Sequence, residues 1–306
     1  MSKPRRFYRD VDGILLLDKP LGISSNAALQ KARFAFAARK AGHAGSLDPL
    51  ASGLLPVCFG QATKVCGRLL NSNKTYAVTV QLGARTESLD CETEVIERVP
   101  VPALDDDKVD AVLAGFVGEQ LQIPPMHSAL KHEGARLYEL ARRGESIERE
   151  PRRISIQYIR RTRPIAATDM LEFEVHCSKG TYIRSLAADI AGGLGTLGYV
   201  TGLRRLSVDP FGGLAMVTLE DLEAERGGEA ALDRLLLGAD QAFLDLPPVE
   251  LDAAAEAGLL LGRAVPVAEP VPAGQLRAYS GGRFLGLVEG QADGRVQPTR
   301  LFVGVA

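Results

Sequence analysis

A single carboxylate in a glycine- and proline-containing loop is the first candidate for chemistry in this chain. Asp48 lies in the stretch His43–Pro56, which reads H-A-G-S-L-D-P-L-A-S-G-L-L-P. Gly45 and Gly53 can adopt positive φ at little cost, and Pro49 biases the residue before it away from the helical region. A carboxylate in such a turn either caps a neighbouring backbone or acts as a nucleophile or base toward a carbon centre, without a metal.

Aromatic and basic residues elsewhere could converge on this carboxylate. Tyr76 stands near the start of a predicted strand, where its ring could face a cleft. The segment S-K-G-T-Y-I-R places a glycine turn before a predicted helix and brings Tyr182 close to Arg184. The tyrosine could stack on a base, and the arginine could pair with a carboxylate or a phosphate. Taken one by one, the aromatic residues fit core packing better than a binding role, and the arginine fits a surface charge better.

Three familiar motifs fit poorly. Asp10–Gly13 reads D-V-D-G, but a charged segment precedes it where a phosphotransferase would have an apolar strand. Gly193–Gly198 matches G-x-G-x-x-G, yet a predicted helix precedes it and a strand follows, the reverse of a dinucleotide-binding turn. His43, Ser46 and Asp48 lie in one loop without a G-x-S-x-G elbow, so they do not form a hydrolase triad.

Length and composition are those of a soluble globular protein. The 306 residues, 46% of them hydrophobic, suffice for one large domain with or without a small one. The longest apolar runs are too short to span a bilayer, and no secretory signal is recognised, so we expect a cytoplasmic protein. The cysteines form no C-x-x-C pair, so we predict reduced thiols and no zinc site. They are Cys58, Cys66, Cys91 and Cys177.

The formal net charge of -2 conceals an uneven charge distribution. Between Lys131 and Arg163 there are ten Lys and Arg against five Glu, a local charge of +5. Between Glu220 and Glu256 there are eleven acids against two Arg, a local charge of -9. Because a polyanion responds to the local patch, the basic region is compatible with RNA binding as well as with an ordinary solvated face.

The elements that must position these residues form a mixed pattern of strands and helices. Apolar or alternating runs predict strands, and Ser24 or Ser25 can cap a helix that extends to about Lys40. The stretch after Pro124 breaks the pattern and predicts an excursion with a short helix near 136–143. The acidic stretch 219–239 predicts one further helix. Short apolar runs after Val249, including Leu259–Leu261, predict a small β-rich barrel. Strands are predicted at 13–18, 54–59, 74–82, 154–160, 170–177 and 200–208, and further helices at 62–70, 105–116 and 182–191.

Together these segments resemble the TruB family, the synthases that convert uridine 55 in the T-loop of tRNA to pseudouridine. Six segments in order carry the resemblance, and they cover most of the chain. His127 stands where bacterial members often have tyrosine, which alters one RNA contact. The matching segments are Gly13–Ser25, Gly42–Pro56, Lys74–Tyr76, Pro124–Lys131, Ser178–Leu186 and Gly202–Arg205.

The resemblance implies an α/β (α+β) fold of the pseudouridine-synthase type. Its catalytic domain, residues 1–245, would hold a mixed sheet with a central cleft and an inserted thumb at about 124–153. Residues 246–306 would form a small, β-rich, PUA-like RNA-binding domain. The resemblance further implies that the partner is tRNA, bound through its T-arm, with no metal, cofactor or membrane involved. We expect a monomer.

The resemblance also implies roles for individual residues. Asp48 would be the essential acid, and Arg184 would pair with it and keep it ionised. Tyr76 would stack on the flipped uracil and remove the final proton. The substrate would also be held or supported by His43, Tyr182, Leu203, Lys19 and Pro20, and RNA would be bound by Lys131, Arg142, Arg143, Arg152 and Arg153.

Two alternatives stay open beside this interpretation. The chain could be an RNA-binding or RNA-folding module that uses the same cleft without chemistry. It could also be a synthase of the guide-RNA-dependent archaeal or eukaryotic type, although the long segment from Pro124 to Arg153 favours the stand-alone bacterial form. The step performed by Asp48 is open as well: attack on the sugar, attack on the base, or removal of a sugar proton.

Overall fold

The strands of the chain form two main sheets and two short hairpins. The computed structural model describes residues 8–302, apart from 129, 133, 142, 146 and 166–168. Strand bounds follow the predicted alternation closely, as at Lys74–Leu82. In chain order the strands are β1 (Gly13–Lys19), β2 (Ala41–His43), β3 (Ala51–Phe59), β4 (Lys74–Leu82), β5 (Ala84–Thr86), β6 (Val95–Arg98), β7 (Gly118–Gln122), β8 (Lys131–His132), β9 (Ala135–Arg136), β10 (Arg152–Arg161), β11 (Met170–Cys177), β12 (Gly198–Val208), β13 (Pro248–Glu250), β14 (Val265–Pro266), β15 (Gly274–Ser280), β16 (Arg283–Gly290) and β17 (Arg295–Leu301).

The helices are short and mostly begin at polar caps. The hydroxyl of Ser24 accepts a hydrogen bond from the backbone of Ala27, which confirms the predicted N-cap. Thr218 caps a later helix in the same way, together with Asp221. The helices are α1 (Ser25–Ala35), α2 (Cys66–Asn71), α3 (Asp106–Ala114), α4 (Leu137–Ala141), α5 (Ile183–Gly193), α6 (Leu219–Ala224), α7 (Glu229–Asp233) and α8 (Ala253–Leu260), with 3₁₀ turns at Gly60–Val65 and Ala239–Phe243.

The larger sheet opens at its centre. Its order in the described chain is β1-β3-β12-β4-β11-β10-β7, and β2 pairs with the C-terminal end of β3. All neighbouring pairs are antiparallel except β3 and β12, which run parallel over only three residues each, Ala51–Gly53 beside Leu203–Arg205. The first half of β12 lies beside the segment around Leu89 and not beside β3. The carbonyl of Leu89 accepts a hydrogen bond from the amide of Val200 at 3.0 Å. A cleft therefore forms where β3 and β12 separate.

Apolar faces on both halves of this sheet supply the core. One cluster joins β4, β11 and β12 to α3 and α5, with Phe173 and Leu186 fully buried. A second and a third cluster lie on the two sides of β1 and β3, which explains why those strands read as continuous apolar runs. The mixed α/β fold with a central cleft is therefore confirmed.

Three predicted elements are wrong in extent or type. The first helix ends at Ala35, because the next residues fold back and Ala37 adopts a positive φ of 48°. The acidic stretch 219–239 is divided into α6, α7 and a 3₁₀ turn, since Gly227 adopts φ 91° and ends the helical path. Leu259–Leu261 ends α8 and forms no strand; the preceding Asp252 caps that helix.

The predicted excursion after Pro124 is shorter than expected. It leaves the sheet after β7, contains the β8–β9 hairpin and α4, and returns at β10. Arg152 and Arg153 were predicted in this thumb, but they begin β10 and pair with Gln122 and Leu121 of β7. The predicted end at 153 is therefore two residues too far, because the sheet ladder already starts at 152.

The C-terminal part forms a separate sheet with the order β13-β15-β16-β17-β14, covered by α8. It rests on the larger domain through aromatic rings. Phe284 and Phe302 pack on Phe243, with ring centroids 6.4 and 5.8 Å from it. The hydroxyl of Tyr279 donates to Asp240 at 3.0 Å. The domain boundary between 245 and 246 stays a prediction.

Within the described part of the chain, no helix is long and apolar enough to cross a membrane.

Candidate active site

Asp48 lies in the loop between β2 and β3, at the mouth of the central cleft. The first residue of α1 anchors this loop: the hydroxyl of Ser25 accepts from the amide of Leu47 at 2.7 Å and donates to its carbonyl at 3.0 Å. Gly45 turns the chain with φ 88°, and the amide of Ala51 donates to the carbonyl of Asp48 at 3.0 Å. Leu47 is buried, so the loop holds its carboxylate in one place.

Arg184 reaches Asp48 from the first turn of α5. Its guanidinium lies 3.1 Å from the Asp48 carboxylate and 3.3 Å from that of Asp90. It also donates to the carbonyls of Ser88 at 2.8 Å and His127 at 2.6 Å. The side chains of Arg184 and Asp90 are only 6% and 7% exposed, whereas that of Asp48 is 49% exposed. The predicted pairing is present, and it leaves Asp48 as the acid that faces the open cleft.

That Arg184 keeps Asp48 ionised stays a prediction, but more groups than Arg184 act on the pKa of this carboxyl. Although half of its side chain is open to water, protein atoms surround it in the cleft, and this burial raises the pKa of its carboxyl. The neighbouring charges of Asp90 and Glu92 raise the pKa further, while Arg184 and Lys19 lower it. Arg184 therefore opposes the upward shift of the Asp48 pKa without cancelling it, because burial has the larger effect.

A cavity of ≈ 220 Å³ adjoins the carboxylate. It brings together the predicted residues Asp48, Tyr76, Tyr182, Arg184 and Leu203, which come from four separate parts of the chain. Burial raises the pKa values of both tyrosine phenols, so both stay protonated in the free protein near neutral pH. Besides the charged pair, the lining consists of aromatic and apolar side chains and of the hydroxyl side chains of Ser46, Ser128 and Thr181. Such a cavity can hold a planar, uncharged ring beside a carboxylate.

Three other predicted residues lie around this cavity without lining it. His43 ends β2 and is half-buried; burial and the charge of Arg205 lower its pKa, so its imidazole is neutral. The Lys19 ammonium is fully buried and donates to the carbonyls of Pro20 and Ile23, both at 2.8 Å. Burial lowers the pKa of Lys19 to about 8. These contacts fit a supporting position for Lys19 and Pro20.

The decisive comparison concerns the whole chain. A family model described as TruB family pseudouridylate synthase (N terminal domain) matches residues 33–183, and two C-terminal models of the same family match 184–244 and 247–302. A protein of Nitrosococcus oceani named tRNA pseudouridine synthase B is 48% identical over 305 residues, 98% of each chain. A protein of the same name from Pseudomonas fluorescens is 46% identical over 98% of this chain and 99% of its own. The chain belongs to the TruB family.

Solved structures agree with this fold. The chain in a crystal structure of a Cbf5-Nop10-Gar1 complex superposes with a TM-score of 0.71 at 24% identity, over 100% of this chain and 92% of that one. A structure of an H/ACA RNP bound to a substrate RNA gives 0.70 at 24% identity, over 96% and 86%. At this identity the likeness concerns architecture alone. The overall fold of this TruB family member is therefore shared with the chains in these two structures.

Sequence reasoning missed residues that hold the TruB site together. Asp90 is the second acid on Arg184, and the Ser88 hydroxyl donates to it at 2.5 Å. The side chain of Gln122 clamps the backbone of Tyr182, accepting from its amide at 2.8 Å and donating to its carbonyl at 3.1 Å. Asp90 and Gln122 show no local motif, and only the fold brings them to the site. Arg205, which ends the predicted segment Gly202–Arg205, is buried and lies opposite Tyr76 in the β12–β4 ladder.

The predicted RNA-binding residues fall into three groups. Arg152 and Arg153 are exposed at the start of β10, and Arg143 is exposed beside Glu145, at 3.8 Å. The backbone of Lys131 belongs to the β8–β9 hairpin. Arg142 lies outside the described residues. Their role in RNA binding stays a prediction.

A second cavity, of ≈ 360 Å³, reaches the same carboxylate from the other side of the cleft. It shares Asp48, Ala51, Arg184 and Leu203 with the smaller cavity. Asp48 therefore stands between two spaces at the point where β3 and β12 separate.

Proposed function

We propose that this protein isomerises uridine 55 in the T-loop of tRNA to pseudouridine and that Asp48 is its essential catalytic acid or nucleophile. Family membership and relatives named tRNA pseudouridine synthase B support pseudouridine formation in tRNA. The single observation that carries the assignment to Asp48 is that its half-exposed carboxylate lines the ≈ 220 Å³ cavity and is paired with Arg184.

Entry of the base requires that it leave its stack. A uracil inside a folded loop hides its glycosidic bond, so the nucleotide must flip before any group can reach it. The rings of Tyr76 and Tyr182 and the side chain of Leu203 offer the surface that replaces the lost stacking. Such stacking contributes about 1–3 kcal/mol per base. The half-buried His43 stands near the cleft, where it can occupy the gap that the base leaves.

The reaction itself balances without a second reactant. The bond between N1 and C1′ breaks, a bond between C5 and C1′ forms, C5 loses its proton and N1 gains one. Asp48 drives the first step by attack on the sugar, by attack on the base, or by removal of a sugar proton. No electrons and no group are exchanged with another molecule, so the proposal includes neither metal nor cofactor.

Two neighbours divide the remaining work in this proposal. Arg184 orients the Asp48 carboxylate from inside the protein, because its buried guanidinium cannot turn away without losing four partners. Tyr76 faces the uracil and accepts the C5 proton once the new bond has formed, while its phenol gives its own proton to water in the cleft. Removal requires a phenol oxygen that can accept a proton while the ring stays in place.

The oligomeric state, the cellular location and the tRNA-binding surface are also part of this proposal. One copy of the chain supplies every residue of the site, so we propose a monomer that acts in the cytoplasm. Binding through the T-arm would use the exposed arginines at the start of β10 and in the excursion that precedes it.

The test is tritium release from a tRNA transcript labelled at C5 of uridine. We expect release from the full tRNA and from a T-arm hairpin, and loss of release when uridine 55 is replaced by cytidine. Release that persists without uridine 55 would contradict the position. Tight binding without any release would favour an RNA-binding module, and release only with an added guide RNA would favour the guide-dependent class.

A further inference from the structure

One hydroxyl on the wall of the Asp48 cavity has no partner in the described part of the chain. Ser128, which stands at the start of the excursion after β7, lines the ≈ 220 Å³ cavity and is only 5% exposed. Its Oγ is buried and forms no hydrogen bond with any described residue. Two other hydroxyl side chains line the cavity: Thr181 donates to the carbonyl of Ser178 at 3.0 Å, and Ser46 is exposed to water. A buried hydroxyl without a partner lowers the stability of the fold, so its presence at this place points to a ligand.

The segment that carries Ser128 is fixed to the charged pair of the site. The carbonyl of His127 accepts from the Arg184 guanidinium at 2.6 Å, and the same guanidinium lies 3.1 Å from the Asp48 carboxylate. The amide of Ser128 donates to the carbonyl of Met126 at 2.8 Å, which closes a tight turn at His127. Ser128 therefore has a set position relative to Asp48, because the arginine that pairs with the acid also holds the residue before the serine.

The protein leaves the Ser128 hydroxyl able to serve a ligand. The phenol of Tyr182 is a polar neighbour, and Ser128 lowers its pKa, yet the two oxygens do not meet the geometry of a hydrogen bond. A serine hydroxyl turns between staggered rotamers, and no hydrogen bond to the described part of the chain opposes that rotation here. The hydroxyl can both donate and accept. It can therefore bind a polar atom of a group that enters the cavity.

The chemistry of the proposed reaction selects one atom of the base for this contact. N1 and C5 of uracil are both bonded to C6, so C5 takes the former place of N1 when the detached ring makes half a turn about the line through N3 and C6. This turn exchanges the two carbonyl groups and leaves the N3–H donor where it was. A group that accepts from N3–H can therefore hold the ring before, during and after the turn.

We propose that Ser128 anchors the base during the rearrangement: its Oγ accepts a hydrogen bond from N3–H of the flipped uracil and keeps it while N1 and C5 exchange. This inference rests on the proposed function and adds a residue to it. Stacking on the neighbouring rings leaves the base able to slide, whereas a directional hydrogen bond fixes the axis of its turn. Ser128 transfers no proton, and its contact replaces the water that N3–H loses on entering the cavity.

The first test follows the N3–H group itself and needs no turnover. A T-arm hairpin carries nitrogen-15 at N3 of uridine 55 alone and is saturated with Asp48→Asn protein. By NMR, we expect its imino proton to exchange with water at least about tenfold more slowly than in the complex with the double variant Asp48→Asn, Ser128→Ala. Equal exchange rates in the two complexes would overturn the proposal.

The second test separates binding of the base from support of the fold. Ser128→Ala removes a hydroxyl without a partner among the described residues, so the urea midpoint should be unchanged or higher. Single-turnover tritium release should slow about tenfold, while tRNA affinity changes less than about twofold. Ser207→Ala is the matched control: Ser207 is also buried, but its hydroxyl donates to Thr75 at 2.9 Å and it lines neither cavity at Asp48. That change should lower the urea midpoint and keep the release rate within about twofold.

Two results of this second test would overturn the proposal. One is release by Ser128→Ala at the wild-type rate. The other is a urea midpoint of Ser128→Ala that falls as far as that of Ser207→Ala, since the hydroxyl would then serve the fold. A wild type that releases no tritium would refute the proposed function instead, and the exchange measurement would still test Ser128.

Discussion

At the residue scale, one arginine is shared by two acids. Arg184 lies 3.1 Å from Asp48 and 3.3 Å from Asp90, and of the two acids Asp48 is the exposed one, at 49% against 7%. Arg184 lowers the pKa of Asp48, but burial has the larger effect and raises it, and so does the charge of Asp90. Burial and the second acid leave the pKa of Asp48 raised, which keeps the carboxylate more basic and more nucleophilic than an ordinary surface aspartate.

Asp90→Asn should shift the acidic limb of the pH–rate profile to lower pH. The charge of Asp90 raises the pKa of Asp48, so its removal lets Asp48 ionise at a lower pH. Lys19→Met should shift the limb the opposite way, because the Lys19 ammonium lowers the same pKa. The measurement is single-turnover tritium release between about pH 4 and 8. Shifts in the same direction for both variants would contradict this electrostatic account.

Much of the site could be predicted at this scale, but only where a residue lies within a recognisable segment. Asp48, Tyr76 and Arg184 stand in segments that resemble a known family, and the structure brings them together. Asp90 and Gln122 carry no such signal. Asp90 is 94 positions from Arg184, and Gln122 is 60 positions from Tyr182, so only the folded chain reveals these contacts.

At the element scale, the crossing of β3 and β12 controls the position of the Asp48 loop. Gly53 adopts φ 98°, and a Cβ there would lie 2.2 Å from the carbonyl oxygen of Arg205. The two backbones can approach only because Gly53 has no side chain. The parallel contact between β3 and β12 is three residues long and therefore depends on this glycine. The cleft begins where that contact ends.

Gly53→Ala should lower the free energy of unfolding by about 2–4 kcal/mol, because it adds both a strained φ and a steric overlap with backbone. Urea unfolding measures the change. Gly67→Ala is the matched control: Gly67 lies in α2 with nothing within 4 Å of an added Cβ, so alanine should be neutral or stabilise by up to about 1 kcal/mol. Equal effects of the two changes would contradict the crossing geometry.

Elements with a strong local pattern were predictable, and those decided by turns were not. The alternation of Lys74–Leu82 gave the bounds of β4 correctly. The acidic stretch after Leu219 has helical composition, yet Gly227 and Gly228 divide it. Leu259–Leu261 was predicted as a strand because it has three apolar residues in a row. The prediction was wrong because such a run fits the end of a buried helix equally well.

At the scale of the whole molecule, acidic and basic residues are concentrated in different parts of the chain. The exposed arginines of the basic part lie together near the cleft. Arg152 and Arg153 extend β10 next to the excursion from the sheet, and Arg153 is 86% exposed. Charge distribution along the chain predicted this region. The docking of the C-terminal sheet through Phe243, Phe284 and Phe302 was not predictable, because it joins apolar residues that carry no pattern of their own.

Replacing Arg152 and Arg153 together by alanine should weaken tRNA binding and leave turnover of bound substrate unchanged. Because two phosphate contacts are lost, the slope of log affinity against log salt concentration should become less steep by roughly 1.5. Filter binding across a salt series and single-turnover release at saturating enzyme separate the two quantities. Arg226→Ala, in the acidic region, is the control and should change neither. A large fall in the saturated rate would assign these arginines to catalysis instead.

The most direct test of the central claim is tritium release by Asp48→Asn. Asparagine keeps the size of the side chain and removes its charge, so the cavity and tRNA affinity should persist within about threefold. We predict a release rate at least about a thousandfold below the wild type, equivalent to about 4 kcal/mol of transition-state stabilisation. Asp10→Asn, at an exposed position, should retain the full rate. Release by Asp48→Asn at the wild-type rate would contradict the assignment of Asp48 as the catalytic carboxylate.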